Sequence, residues 1–160
     1  MWENYSDAKC RKIIPHLGVD MNFSKTLIEL MTEKEVDSKQ LAFDLGVTQQ
    51  TVNHWKANRH GIELAQLIKL CRYFGCSLEY LAGRTQNFTK PGNFAIQNFG
   101  TQLRAVMQSK NISSYTLRKE TTVSGKHFYT WDRGASPKLS TLIELAKYFD
   151  CSIDELVGLE

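Results

Sequence analysis

The chain repeats itself, and that repeat limits its architecture more than any other feature. Displaced by 76 positions, Asn22-Phe23 falls on Asn98-Phe99, Leu27 on Leu103, Met31 on Met107, Lys34 on Lys110, Val36 on Ile112 and Leu41 on Leu117. The same displacement sets Val47 on Val123, Thr48 on Ser124 and Trp55 on Trp131. After a one-residue adjustment, Leu67-Ile68 matches Leu142-Ile143, Tyr73-Phe74 matches Tyr148-Phe149, Cys76-Ser77 matches Cys151-Ser152, and Gly83 matches Gly158. So many matches in one order imply two homologous units, and a chain of 160 residues has room for two small domains. The expected boundaries are an N-terminal arm over 1–21, a first domain over 22–83, a linker over 84–93 and a second, more divergent domain over 94–160. The linker, RTQNFTKPGN, holds a Pro-Gly pair and no apolar periodicity.

Within each unit the apolar residues recur at helical spacing. Phe23, Leu27, Leu30 and Met31 in one copy, and Phe99, Leu103, Val106 and Met107 in the other, form the face of a first helix. Leu64, Leu67, Ile68, Cys71 and Phe74, or Leu139, Leu142, Ile143, Ala146 and Phe149, form that of a fourth. These stripes read as core rather than as a ligand pocket. A short fifth helix begins at Ser77 or Ser152 and stops at Gly83 or Gly158, and Ser152-Ile153-Asp154-Glu155 fits a capping box. A domain of ~60 residues buries only about 60% of its surface. Packing of one copy on the other, or dimerisation, is therefore expected. In the arm, Trp2, Tyr5, Ile13 and Ile14 fit a short amphipathic helix ending before Pro15 and Gly18, best read as packing on the first domain or on a partner subunit.

Between the first and fourth helices lies DSKQLAFDLGVTQQTVNHWKANRH, residues 37–60. Leu41, Ala42 and Leu45 give one short helix an apolar face, and Val52 with Trp55 does the same for the next. Gly46 falls where a left-handed cap must lack Cβ, and Thr48 supplies a hydroxyl for the following N-terminus. That is a helix-turn-helix. The outward face of its second helix offers Gln49, Gln50, Asn53, His54 and Lys56, hydrogen-bonding groups with a positive charge, on an element narrow enough for the major groove of DNA.

The spacing Ala42-x3-Gly46-x5-Val52-x2-Trp55, followed by Asn58 and an apolar helix, resembles the Cro/C1-type helix-turn-helix repressors. Val47-Thr48-Gln49-Gln50-Thr51-Val52 is similar to the recognition helix of a lambdoid phage repressor, where two successive glutamines contact base edges. The resemblance covers about 60 residues in each copy. It implies an all-α protein of two tandem five-helix, lambda-repressor-like DNA-binding domains, bacterial or phage-derived, that regulates transcription as a repressor.

It also implies roles. Gln49 and Gln50 become base readers, since glutamine pairs bidentately with the N6 and N7 edge of adenine. Asn53 and His54, one turn on, reach the next bases or a phosphate. Lys56, Asn58 and Arg59 fall where the family holds the phosphate backbone, which sets register and affinity rather than sequence choice. The free amides at the start of the Ser38 helix offer another phosphate site, and Thr48 and Thr51 are further phosphate candidates. The family commonly has glutamine at the position of Ser38, buttressing the base-reading glutamine; here it is serine. In the second copy Arg118 and Thr122 stand where Ala42 and Gly46 do, and Gly125 replaces Gln49. There Lys126, Tyr129 and Thr130 are the base-reading candidates, and Ser124, His127, Arg133 and Lys138 the phosphate ones. At full extension the ten-residue linker reaches about 33–36 Å, comparable with ~34 Å between half-sites one turn apart, unless Phe88 or Phe94 docks it. Lys9, Arg11 and Lys12 allow a second reading of the arm as a DNA contact.

Charge supports the same face. The net charge is only +3, and residues 22–83 balance seven Lys/Arg against seven Asp/Glu. Yet 46–60 holds Lys56, Arg59 and two histidines with no acid. The neutral first domain and the degenerate second copy leave open a protein-interaction or dimerisation module in which the polar faces meet solvent. Double-stranded DNA is the expected partner, a homodimer is left open, and no small-molecule ligand or cofactor is evident. Trp55 and Trp131 lie on the apolar sides of their helices, as core rather than stacking platforms. Cys10, Cys71, Cys76 and Cys151 read as reduced thiols, and with the histidines they make no zinc spacing. No nucleophile elbow, phosphate loop or His-Glu-x-x-His occurs, so an enzyme is not expected. No apolar run approaches the ~18 residues of a membrane span, and no leader is seen; the expected location is the cytosol.

Overall fold

The computed structural model describes residues 17–92 and 98–159, with side chains from Phe23 onward. These residues form ten helices and no β-strand. In the first copy they are α1 (Leu17–Glu33), α2 (Ser38–Leu45), α3 (Gln49–Lys56), α4 (Leu64–Phe74) and α5 (Leu78–Leu81). In the second they are α6 (Phe99–Ser109), α7 (Ser114–Glu120), α8 (Gly125–Asp132), α9 (Leu139–Phe149) and α10 (Ile153–Val157). The expected break at Gly18 is absent, because α1 runs through it. Amides of a first turn have no intrahelical partner, so glycine there disturbs little. The rest of the arm, with Trp2, Tyr5, Lys9, Cys10, Arg11, Lys12, Ile13 and Ile14, lies outside the described residues, as does Phe94.

Local chemistry sets the helix ends. Asp37 caps α2 by accepting from the Gln40 amide at 2.7 Å. Gly46 ends α2 in the left-handed region, φ 68°, where an L side chain is strained. Ser77 and Ser152 cap α5 and α10 as expected, accepting from the Tyr80 and Glu155 amides at 3.2 and 2.9 Å. The apolar stripes converge. Leu27, Leu41, Val52, Trp55 and Leu67 are buried in the first copy, and Leu103, Leu117, Val123, Trp131 and Leu142 in the second, in one continuous core cluster. Cys71 and Cys76 are buried free thiols; the neighbouring Cys76 thiol and burial push Cys71 up.

The copies meet along a reciprocal seam. The Leu64 amide donates to the Pro137 carbonyl and the Leu139 amide to the Ile62 carbonyl, both at 2.8 Å, and Glu63 and Lys138 form an antiparallel bridge between them. Ile62, Glu63 and Leu64 are the repeat equivalents of Pro137, Lys138 and Leu139, so each copy offers the other the same segment. This is the pattern of an isologous two-fold contact, formed inside one chain. A second exchange obeys the same symmetry. The Asp154 carboxylate accepts from the Leu78 and Glu79 amides at 3.0 and 2.9 Å, and the equivalent Glu79 accepts from the Ile153 amide at 2.8 Å. Each acid thus caps the fifth helix of the other copy.

The segment joining the copies is docked rather than extended. The Ser77 amide donates to the Thr89 carbonyl at 2.9 Å, the Thr89 hydroxyl reaches Ser77 Oγ at 2.8 Å, and Phe88 meets Tyr80 edge-to-face at 5.1 Å.

Candidate nucleic-acid interface

In the first copy α2 and α3 pack across the turn Gly46-Val47-Thr48, with Val52 and Trp55 turned into the core. Thr48 caps α3, its Oγ accepting from the Thr51 amide at 3.1 Å and lying 2.8 Å from the Thr51 hydroxyl. Gln49, Gln50 and Asn53 are thereby left exposed together, on the first and second turns of the helix, with His54 half-buried beside them. The end of α3 is pinned: buried Ser24 of α1 donates to the Lys56 carbonyl. Beyond it Asn58 takes a left-handed conformation, φ 55°, and turns the chain so that Arg59 is exposed. The His54 and His60 rings meet edge-to-face at 5.0 Å.

One expected phosphate contact is turned inward. Ser38 is buried, its Oγ accepts from Lys56 Nζ at 3.2 Å, and the Asp37 carboxylate occupies the start of α2. Lys56 is consequently half-buried, its ammonium held at the edge of a groove of about 470 Å³ lined also by Ile28, Glu35 and Gln49.

The second copy builds the same motif from different parts. With threonine in place of Gly46, the turn adopts no left-handed cap. Thr121 is extended, its hydroxyl donating to the Leu117 carbonyl at 2.7 Å. Thr122 directs its amide to Glu144 Oε1 at 2.8 Å and its hydroxyl to Oε2, so a carboxylate on α9 closes the turn. His127 Nδ1 accepts from the Ser124 amide at 2.9 Å, and its ring stacks on Trp131, centroids 5.3 Å apart. Lys126 and Tyr129 are exposed, and the Arg133 guanidinium lies 4.1 Å from the Tyr129 ring centre. Thr130 is half-buried and returns its hydroxyl to the His127 carbonyl at 3.0 Å. Lys138 sits apart from this group, at the seam, its stem against Gly61.

Charge also differs between the heads. At the position of Lys56 the second copy has Asp132, clamped by both Nη groups of Arg104, the longer contact 2.7 Å. The guanidinium holds the Asp132 carboxyl below its usual range and is itself raised by it. Gly100 permits the approach, since a Cβ there would strike Asp132. Sequence reasoning missed Ser24, Arg104 and Glu144. Each acts across 22–32 residues of chain. Periodicity locates a helix face but does not pair polar groups on separate helices.

Fold and faces together define an all-α protein carrying two helix-turn-helix heads. A family model described as the Cro/C1-type HTH DNA-binding domain matches residues 26–86 and again 102–160, and the chain belongs to that family. It is a DNA-binding protein on that ground, with double-stranded DNA as its implied partner. Neither the curated proteins nor the solved structures contain a match. Among the described residues, no helix is long and apolar enough to cross a membrane, and no cluster of three or more His, Cys, Asp or Glu could hold a metal.

Proposed function

We propose that this chain is a sequence-specific transcriptional regulator, acting as a repressor, that inserts α3 and α8 into successive major-groove segments of one duplex. Domains over 22–83 and 94–160, joined by 84–93, are its two reading heads. The observation that carries the reading is the exposed row Gln49, Gln50 and Asn53 on a helix whose opposite face is core and whose own stretch of chain, 46–60, holds no acid. In this reading Gln49, Gln50, Asn53 and His54 read bases, and Thr48, Thr51, Lys56, Asn58 and Arg59 grip phosphates, with Ser38 acting through Lys56. In the second head Lys126, Tyr129 and Thr130 face bases, and Ser124, His127 and Arg133 face phosphates, while Lys138, also expected there, stands apart at the seam.

The reciprocal seam supports two heads acting together. Its reciprocal hydrogen bonds are those of a local two-fold, the symmetry by which dimers match half-sites one turn apart. Here one chain would do the work of two. The alternative of a second copy given over to packing draws support from Gly125, which offers no base-edge group, and from the clamped Asp132.

Selection of bound duplexes from a random library, followed by titration at several salt concentrations, tests the reading. The expected outcome is two enriched motifs about one turn apart, bound by one chain, with affinity falling steeply with salt. Lys126→Ala and Arg133→Ala should weaken the second motif. A single motif unaffected by both substitutions would assign the second copy to packing. No enrichment with weak, salt-insensitive binding would replace DNA reading by protein recognition.

A further inference from the structure

The two heads exchange bulk between one pair of positions. In the first, Ala42 on α2 is 3% exposed and Gln49 at the start of α3 carries an exposed side chain. In the second, the equivalents are Arg118, exposed on α7, and Gly125, which has no side chain. The substitutions are coupled in space. A Cβ built on Gly125 would have Arg118 Nη1 as its nearest neighbour, at 3.5 Å. The guanidinium therefore lies where the first head directs the side chain of Gln49.

We propose that Arg118 supplies from α7 the outermost base-reading group that α8 lacks, and that its target is guanine. The proposal rests on the reading in which the second head enters the major groove. Arg118 Nε donates to the Ser114 carbonyl at 3.2 Å, which fixes the plane of the fork and leaves both Nη groups to point past Gly125. Among the described residues Arg118 forms no ion pair. A guanidinium held in this way presents two parallel donors, the complement of the O6 and N7 acceptors that guanine alone displays in the major groove. Arginine on the α7 side and glycine on the α8 side are each unfavourable for a helix-turn-helix alone. Together they open a path for the longer side chain. The two half-sites should consequently differ at equivalent steps, adenine beneath Gln49 and guanine beneath Arg118.

The test uses the full chain and the duplex it selects, with the guanine of the second motif replaced by adenine or by 7-deazaguanine, which lacks the N7 acceptor. Wild-type affinity should fall about 5–150-fold with adenine and measurably with 7-deazaguanine. In Arg118→Ala, which installs the residue that Ala42 supplies in the first copy, both losses should shrink to within about two-fold while discrimination at the first motif persists. The pair Arg118→Ala with Gly125→Gln should shift the preference toward adenine. Thermal melting of each variant establishes that it is folded. If Arg118→Ala weakens all duplexes alike and lowers the salt slope by about one, the guanidinium holds a phosphate and the proposal is wrong. If Arg118→Ala changes nothing while Lys126→Ala erases the second motif, Arg118 is not a reader although the head is. If no second motif is ever enriched, both the proposal and the two-headed reading fall.

Discussion

Removing the Asp154 carboxylate tests whether the two copies act as one folding unit. Asp154 sits on α10 but accepts from two amides of α5 in the other copy, Leu78 at 3.0 Å and Glu79 at 2.9 Å. Hydrogen bonds to a charged acceptor contribute about 1.5–3 kcal/mol each. Two of them set a ceiling of about 3–6 kcal/mol, and water entering the partly exposed site in Asp154→Ala recovers roughly half, leaving about 1.5–3 kcal/mol. Were the copies independent, Asp154 would act only on its own helix start, worth about 0.3–1 kcal/mol. The two ranges do not overlap. Urea unfolding of Asp154→Ala followed by tryptophan fluorescence measures the loss, and amide exchange at Leu78 and Glu79 reports where it arises. Because Glu79 returns the contact through the Ile153 amide at 2.8 Å, the double variant with Glu79→Ala should lose less than the sum of the singles. A loss below about 1 kcal/mol with exchange at Leu78 and Glu79 unchanged would refute the seam as a stabilising contact.

Three further outcomes are expected. Gln49→Ala or Gln50→Ala should cost about 1–3 kcal/mol on the selected duplex and much less on random duplex, measured by titration at fixed salt; equal losses on both would exclude base reading by these residues. Gly46→Ala places a Cβ in open space, so its cost of about 1–2 kcal/mol in urea unfolding is conformational alone, and an unchanged midpoint would contradict the left-handed turn. Because Arg104 holds the Asp132 carboxyl below its unfolded value, the stabilisation is present above the unfolded pKa of about 4 and is lost as pH falls through the folded one. Asp132→Asn should therefore flatten the acid limb of the stability profile, and an unaltered limb between pH 5 and 2 would show that the pair contributes nothing in solution.

How far the sequence alone led depended on the range of the interaction. Helix faces were legible because burial imposes a period, so Leu27, Leu41, Val52 and Trp55 declared themselves without reference to anything distant. Caps were legible for the same reason, since Thr48 and Ser77 act three residues away. Even the weak points of the second head were visible at Arg118, Thr122 and Gly125. Their resolution was not. Glu144 closes the turn from another helix, and Arg104 reaches Asp132 across 28 residues. The docked joining segment shows a related limit, because Phe88 is legible as a docking residue while its partner Tyr80 and the Thr89–Ser77 pair are not. Ser38 shows a third limit: its place at a helix start is legible, while the burial of its hydroxyl and the contact with Lys56 Nζ are not.

The two copies keep some pairs where they touch and change others, both there, where Ile62 and Glu63 answer to Pro137 and Lys138, and on the faces turned outward. Leu64 and Leu139, Ser77 and Ser152, and the acids Glu79 and Asp154 are matched pairs at or beside the seam. Gln49 and Gly125, Lys56 and Asp132, and Asn53 and Tyr129 are mismatched pairs on or beside the candidate reading faces. An isologous contact joins a patch to its own equivalent, and where both halves belong to one chain they can change separately, as Glu63 opposite Lys138 shows. The outward faces have the same freedom. A homodimer alters both heads with every substitution and is tied to palindromic sites, whereas a fused pair can alter one head and keep the other. The joining segment keeps the two heads at the high effective concentration of an intramolecular pair, and docking it narrows their relative positions further. On this account the glycine at the start of α8 is a departure from the first head that a palindrome-bound dimer could not tolerate in one half alone.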